Sequence, residues 1–287
     1  MTDRVWTVGE MLRWTTEYLQ GKGFDNARRN AEVLLADLLR LKRLDVYLQF
    51  ERPLSPDELA EFRARLLRRA RREPLQYIDG RAHFRHLVLA VDRRVLIPRP
   101  ETEVLVQEVL DWAAGRQGLH ALDVGTGSGA IALALATEGP FARVVATDVR
   151  EDALAVARAN HAACAASAPV EFRAGDLLAP VRGEEFDVVA SNPPYVGDEE
   201  RVTLDAEVRD WEPGSALFAG TGGLDVIRRL VAGAPEVLRP GGLLALEVGA
   251  AQGPAVARLV EETGAFAEAR VRKDLAGRDR IVLAERT

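Results

Sequence analysis

Apolar positions recur along this chain at two different intervals. Up to about residue 75 the interval is three and four, the period of helices packed on one face. Val8, Met11, Leu12, Trp14 and Leu19 supply a first face, and Ala31, Leu34, Leu35, Leu38 and Leu39 supply a second between about Asn26 and Leu41. Start signals support both this period and a third helix. Thr7 with Glu10 three residues later spells a capping box, and Ser55-Pro56-Asp57-Glu58 puts Ser at the N-cap and Pro at the first helical position. The helix after Pro56 carries Phe62, Leu66 and Leu67 and is expected to end before Pro74. Its Arg63, Arg65, Arg68, Arg69, Arg71 and Arg72 are expected to form a solvated face; docking of an acidic partner is the alternative.

Residues 76–97 change period. His83-Phe84-Arg85-His86-Leu87-Val88-Leu89-Ala90-Val91 reads as two short strands, a hairpin or linker ribbon. His83 and His86 have no third ligand of the right type nearby, so a surface role is expected and a metal site is not. Ile97-Pro98-Arg99-Pro100-Glu101-Thr102-Glu103 then interrupts regular structure before a helix carrying Val104, Leu105, Val106, Val109, Leu110 and Trp112. From 119 onward strand-type and helix-type segments alternate: 119–124, 130–136, 143–148, 151–165, 170–173, 186–190, 224–238, 243–248 and 253–262. Two strand-like stretches, 267–272 and 279–284, close the chain. That alternation predicts an α/β fold with an open, mainly parallel sheet wrapped by helices. The expected division is a helical domain over 1–75, a hairpin or linker over 76–97 and the α/β domain over 98–287.

Composition narrows the classes. A chain of 287 residues with 47% hydrophobic and 29% charged residues is ordinary for a globular protein of one large or two unequal domains. No run approaches the roughly 18 apolar residues of a membrane span, and the N-terminus has no basic-then-apolar signal pattern. The only cysteine, Cys164, sits in an Ala-rich helical stretch; it excludes an intrachain disulfide and a cysteine metal cluster, and a reducing cytoplasm fits. The net charge of −6 argues mildly against a nucleic-acid binder. The charge is uneven: residues 1–80 hold 15 Lys/Arg against 13 Asp/Glu, and the remainder holds 23 against 31.

The chemistry concentrates where strands end. Ser191-Asn192-Pro193-Pro194-Tyr195 follows the apolar run Phe186-Asp187-Val188-Val189-Ala190. Two prolines in a row cannot continue a ladder or start a regular helix, so the backbone after Asn192 is stiff and its carbonyls are left unused by secondary structure. A rigid loop with one carboxamide, free carbonyls and an aromatic ring is suited to gripping a planar amide or amine. Asp123-Val124-Gly125-Thr126-Gly127-Ser128-Gly129 joins the first strand of the alternating region to its helix, and its glycines permit a sharp turn and close approach of a ligand to a helix N-terminus. The Gly-x-Gly-x-Gly spacing differs from the dinucleotide fingerprint. Asp148 ends the next strand, where an acid hydrogen-bonds ribose hydroxyls; N-capping of the following helix is the plainer role. Gly175-Asp176-Leu177 ends the third, with Asp176 placed to accept from an adenine amine and Leu177 to flank the ring. With no phosphate-binding Lys, the ligand expected across these ends is an adenosyl compound of the S-adenosylmethionine type.

On these residues the chain resembles class I methyltransferases of the Asn-Pro-Pro-Tyr type, and more closely the peptide chain release factor glutamine N5-methyltransferase family (HemK-type). The likeness extends over Ala31-Glu32-Val33-Leu34-Leu35, Pro74-Leu75-Gln76-Tyr77-Ile78-Asp79-Gly80, residues 96–103, residues 123–135, Ser191 to Tyr195, Trp211-Glu212-Pro213, Ala216-Leu217, Glu247-Val248-Gly249, Gln252-Gly253 and Arg278-Asp279-Arg280. The Ile-Pro-Arg-Pro-Glu-Thr-Glu segment and the small helical N-domain are its specific parts. Trp211 stands where the family often has Phe, and Leu177 where some relatives carry Trp.

The resemblance implies a class I methyltransferase fold: a Rossmann-like, mainly parallel seven-stranded sheet with an antiparallel edge strand, preceded by a small all-α domain that recognises the substrate. It implies an S-adenosylmethionine-dependent protein-(glutamine-N5) methyltransferase acting on the glutamine of the Gly-Gly-Gln motif in class I release factors, so tuning translation termination. S-adenosyl-L-homocysteine is the product. Gly125, Thr126, Gly127, Ser128, Gly129, Asp148, Asp176, Leu177 and Asn192 would hold the cofactor. Asn192, Pro193, Pro194 and Tyr195 would hold the glutamine, with Asn192, Pro193 and Tyr195 catalytic and no metal. The expected state is a cytoplasmic monomer without stable nucleic acid or membrane contact. One rival is a DNA or RNA amino-methyltransferase using the same motif, which predicts a basic groove; another is a non-catalytic adaptor. Glu101 and Glu103 either charge the first turn of their helix or shape the mouth of the cofactor site. Glu247 is left outside the catalytic set.

Overall fold

In a computed structural model, residues 5–274 and 276–287 are described, and they form two compact units. The first comprises the chain up to Gly80 together with Ala206–Trp211. The second comprises Arg81–Asp205 and Glu212–Thr287.

The first unit is helical. Helix α1 (Val8–Gly21) starts at the expected capping box: Thr7 Oγ1 accepts from the Glu10 N–H at 3.2 Å and the Glu10 carboxylate accepts from the Thr7 N–H at 3.0 Å. Helix α2 spans Ala27–Leu39, and α3 (Pro56–Ala70) begins at a second box closed by Ser55 and Glu58. The short helices α4 (Leu75–Asp79) and α8 (Ala206–Arg209) complete it. Val8, Leu12, Leu19, Leu34, Leu35 and Phe62 form its core.

On the arginine face of α3, Arg63, Arg68 and Arg71 are exposed as expected, and Arg69 departs from that solvated surface. Arg69 is only 4% exposed. It donates to Asn30 Oδ1 at 2.5 Å and to the Glu73 carbonyl at 2.8 Å, and it pairs with Glu207. Arg72 donates to the carbonyls of Lys22 and Gly23 and lies over the Phe24 ring. A guanidinium brings five donors on a long apolar stem, so it can enter a helical core wherever carbonyls and carboxylates meet it.

The second unit opens with an antiparallel hairpin, β1 (Arg81–Phe84) and β2 (Leu87–Ala90). After α5 (Pro100–Ala113) the chain alternates β3 (Leu119–Val124), α6 (Ala130–Glu138), β4 (Phe141–Asp148), α7 (Glu151–Ala163), β5 (Val170–Ala174) and β6 (Phe186–Ser191). It continues through α9 (Asp225–Val237), β7 (Leu238–Glu247), α10 (Gly253–Glu262), β8 (Arg270–Lys273) and β9 (Asp279–Glu285). The seven-stranded sheet has the order β5-β4-β3-β6-β7-β9-β8. β9 is antiparallel to both its neighbours, so the reversed strand lies one place in from the edge, and β3 to β7 are parallel.

Strand residues alternate between two cores. Ala121, Val188, Ala190 and Ala245 face α5 and α6, while Leu122, Val124, Val189 and Leu246 face α9 and α10. Burial on both faces explains the unbroken apolar runs read from the sequence. The register brings the carboxyl ends level: Val124 is opposite Thr147 and Ser191, and Ser191 is opposite Leu246. Residues that follow these strands therefore meet along one edge, at the point where the chain turns from building toward β5 to building toward β8.

Candidate functional site

Gly125, Gly127 and Gly129 carry the turn from β3 into α6. Gly127 sits at φ +54°, and a Cβ added there would meet nothing within 4 Å, so this backbone is open to the space above the strand ends. Gly129, at φ +86°, leads into α6; a Cβ there would lie 3.2 Å from Leu133 and 3.3 Å from Ala157, and glycine keeps the helix close to its neighbours. The turn rests on Asp123, which is fully buried. Its Oδ2 accepts from Thr126 Oγ1 at 2.6 Å and from the Ala132 N–H at 3.1 Å, while its Oδ1 has no partner among the described residues. Burial pushes this carboxyl up to about 7.

Asp148 ends β4 beside the turn. It accepts from the Gly127 N–H and the Arg150 N–H, both at 2.9 Å, and burial raises its pKa. Asp148 thus ties the glycine turn to the start of α7 and keeps unused lone pairs. Next to it, Val149 is 65% exposed although apolar. Leu177 faces the same space from the loop after β5, in the left-handed region at φ +50°, and its carbonyl accepts from Thr147 Oγ1 at 3.2 Å. Among the described residues it is one of four non-glycine positions with positive φ, a conformation that costs about 1 kcal/mol and persists where surroundings enforce it. Asp176 lines the cleft too, but its carboxylate pairs with Arg229.

Gly125, Gly127, Asp148, Val149, Asp176 and Leu177 border a cleft of about 160 Å³ that Asn192 and Pro194 also line. A smaller recess adjoining it is lined by Pro98, Thr102, Thr126, Ser128 and Asn192. Apolar walls at Val149 and Leu177, a carboxylate at Asp148 and close backbone at Gly125 and Gly127 suit a ring, a ribose and a short charged tail. The donor set therefore fits an adenosyl-type cofactor.

Asn192 follows β6. Its Nδ2 donates to Thr102 Oγ1 at 3.1 Å, and Thr102 donates to Glu247 Oε2 at 2.6 Å. Glu247, last residue of β7, is 1% exposed, and its Oε1 has no partner among the described residues. Burial pushes its carboxyl up to about 7, against the Thr102 hydroxyl and the charges of Arg280 and Arg99. Pro193 is buried, and Tyr195 packs against the α9–α10 side of the sheet. Burial, with the nearby Glu247 charge, pushes the Tyr195 phenol up to about 12, so it stays neutral. Arg99 pairs at 2.5 Å with the buried Glu212, linking the segment before α5 to Pro213, which lines the cleft.

In the sequence Thr102 reads only as part of a helix start, and Glu247 stands outside the catalytic set. Their roles at the site depend on contacts 90 and 145 positions apart in the chain, and no local pattern encodes such a contact. Val95 and Leu96, also on the cleft wall, fall in a stretch whose apolar residues read as linker. Among the described residues no cluster of three or more His, Cys, Asp or Glu is placed to hold a metal ion, and no helix is long and apolar enough to cross a membrane.

Comparison with known proteins places both units. Residues 10–80 match the family PrmC N-terminal domain, and residues 100–208 match the Methyltransferase small domain. The chain is 43% identical over 287 residues to the release factor glutamine methyltransferase of Geobacter sulfurreducens, covering 98% of each chain. It is 44% identical over 277 residues to that of Cereibacter sphaeroides, covering 96% of this chain and 98% of the other. Among solved structures, a methyltransferase from Pyrococcus furiosus superposes with a TM-score of 0.51 at 22% identity, over 78% of this chain and 96% of the other, a likeness of fold.

Proposed function

The chain belongs to the release factor glutamine methyltransferase family, and from that premise we propose how its residues move a methyl group from S-adenosylmethionine to the side-chain amide nitrogen (N5) of the glutamine in the Gly-Gly-Gln motif of class I peptide chain release factors. The observation that carries the reading is the position of Asn192. Its carboxamide lines the same cleft as Gly125, Gly127 and Asp148, so a group held at Asn192 lies beside whatever the glycine turn holds.

The cofactor would rest with its ribose at Asp148, its ring between Val149 and Leu177, and its charged tail over residues 125–129. Asp176 would accept from the ring amine, in competition with Arg229. Bound there, the sulfonium supplies a methyl group already activated for transfer.

An amide nitrogen is a poor nucleophile because its lone pair is delocalised into the carbonyl. The protein's task is to aim that nitrogen and to stabilise the positive charge that grows on it. Asn192 Oδ1 and the Pro193 carbonyl would accept the two amide hydrogens of glutamine, both stiffened by the Pro193-Pro194 backbone. Tyr195, neutral and partly buried, would pack on the amide plane with Pro194. No base is needed before transfer, since the bound nitrogen becomes acidic only afterwards. The helical unit would recognise the body of the release factor, and the protein would act as a cytoplasmic monomer.

The test is to incubate the protein with S-adenosylmethionine and a stoichiometric release factor, then weigh the Gly-Gly-Gln peptide. A gain of one methyl on that glutamine, absent when it is replaced by Ala, is expected. Asn192→Ala should lower turnover roughly 10²–10³-fold. Labelled methyl appearing in RNA or DNA instead would overturn the reading.

A further inference from the structure

We propose that Thr102 and Glu247 are positioning residues that set the direction of the Asn192 carboxamide, so that its oxygen and not its nitrogen faces the substrate. This inference rests on the reading above, in which Asn192 holds the substrate amide.

β6 and β7 are parallel neighbours with Ser191 opposite Leu246, so the residues just after them, Asn192 and Glu247, stand level. Thr102, in the first turn of α5, is 3% exposed and lies between the two. A hydroxyl has one hydrogen to give. At 2.6 Å from Glu247 Oε2, Thr102 spends it on the carboxylate, which is an acceptor only when ionised. What remains on Thr102 Oγ1 is a lone pair, and the group that meets it at 3.1 Å must donate. Asn192 therefore presents Nδ2 to Thr102. Turning the amide over would set Oδ1 against an oxygen with no hydrogen left, losing one bond and opposing two acceptors. The buried carboxylate thus fixes, two bonds away, which end of an amide faces the cleft. An acceptor turned toward the cleft selects a substrate group with hydrogens on nitrogen, and a donor there would repel it.

This also gives the site a pH dependence. Arg280 and Arg99 face Glu247 and favour its charge, Glu101 opposes it, and Tyr195 lies nearby with a neutral phenol. Desolvation outweighs the two arginines and brings the carboxyl up to about 7. Once protonated, Glu247 can donate to Thr102 Oγ1. The Thr102 hydrogen is then free to turn toward Asn192, and either amide orientation is satisfied. The fraction of Asn192 with its oxygen aimed at the cleft thus falls as pH drops through about 7.

The experiment uses a property of this sequence: it has four asparagines, Asn26, Asn30, Asn160 and Asn192, so a spectrum of protein labelled with ¹⁵N-asparagine contains four side-chain amide pairs. The Asn192 pair, assigned by its disappearance in Asn192→Asp, should be displaced and slow to exchange in the wild-type protein. In Thr102→Val it should shift and lose protection at least about 10-fold, and in Thr102→Ser it should return most of the way. In methyl transfer, Thr102→Val should lose roughly 10- to 100-fold in kcat, the scale of a misplaced catalytic group, with the cofactor Kd within about twofold of wild type, and Thr102→Ser should recover most of the loss. The acid limb of kcat near pH 7 should vanish in Glu247→Gln. An Asn192 signal indifferent to Thr102→Val overturns the relay. A changed signal with kcat intact overturns its role in catalysis. If the wild-type protein leaves the release factor glutamine unmodified, the proposed function falls, while the amide spectra still decide whether Thr102 orients Asn192.

Discussion

The side-chain amide of Gln252 donates to the backbone carbonyl of Tyr195 at 2.9 Å, joining the loop after β7 to the loop after β6. The same nitrogen reaches the Gly222 carbonyl at 3.2 Å, and Gln252 Oε1 accepts from the Gly249 N–H at 2.9 Å. One side chain therefore holds the end of the Asn-Pro-Pro-Tyr segment from outside its own strand. Gln252→Glu replaces the donor by a second acceptor facing the Tyr195 carbonyl. It should cost about 1–2 kcal/mol of stability and lower kcat roughly 10-fold, with cofactor affinity unchanged. Urea unfolding and steady-state rates check this.

Gly223 crowds the same carbonyl, close to the Gln252 amide. A Cβ added there would lie 2.1 Å from the Tyr195 oxygen, and its φ of +69° belongs to the left-handed region. Backbone cannot yield as a flexible side chain can. Gly223→Ala should move the Asn-Pro-Pro-Tyr segment, reduce methyl transfer more than about 10-fold and lower Tm. A crystal structure of the variant would show whether Tyr195 or the 220–224 loop gives way.

Asp148→Ala removes the carboxylate proposed to hold the ribose, together with its bonds to the Gly127 and Arg150 amides. Hydrogen bonds to a charged group contribute about 1.5–3 kcal/mol. Affinity for S-adenosyl-L-homocysteine should therefore fall roughly 10- to 100-fold, read by titration calorimetry. An unchanged Kd would remove Asp148 from the cofactor site.

Asp123 predicts how stability depends on pH. Its carboxyl is pushed up to about 7, mainly by burial, whereas in the unfolded chain it titrates near 4. The native state thus binds this proton more tightly. Its contribution is fully present below the unfolded value and is lost as pH rises from about 4 to about 7, then levels. Asp123→Asn keeps an oxygen for Thr126 and Ala132 and no longer titrates. The fall in unfolding free energy between pH 5 and pH 8 should shrink by roughly 1–3 kcal/mol. Glu247 titrates in the same window, so part of the slope should survive. Urea unfolding at the two pH values measures both.

The amino-acid sequence by itself determined the parts of this protein that are local. Capping boxes at Thr7 and Ser55, the apolar runs of β3 and β6, the glycine turn at 125–129 and the stiff Asn192-Pro193-Pro194-Tyr195 stretch each depend on neighbours a few positions away. Backbone sterics, helix period and turn chemistry act over that range, and so the α/β alternation and the strand ends proposed to carry the chemistry were legible. Tertiary structure alone decided what meets across those ends. Strand order placed Glu247 beside Asn192, α5 brought Thr102 between them, Gln252 reached Tyr195, Arg229 engaged Asp176, and Arg69 went inside to meet Asn30 and Glu207. Apart from the strand order, each is a side-chain hydrogen bond or ion pair between distant positions. Such contacts need angles and distances set to tenths of an ångström, and only the packed sheet supplies that geometry, because no periodicity in the chain records which residues will face one another once the strands are side by side.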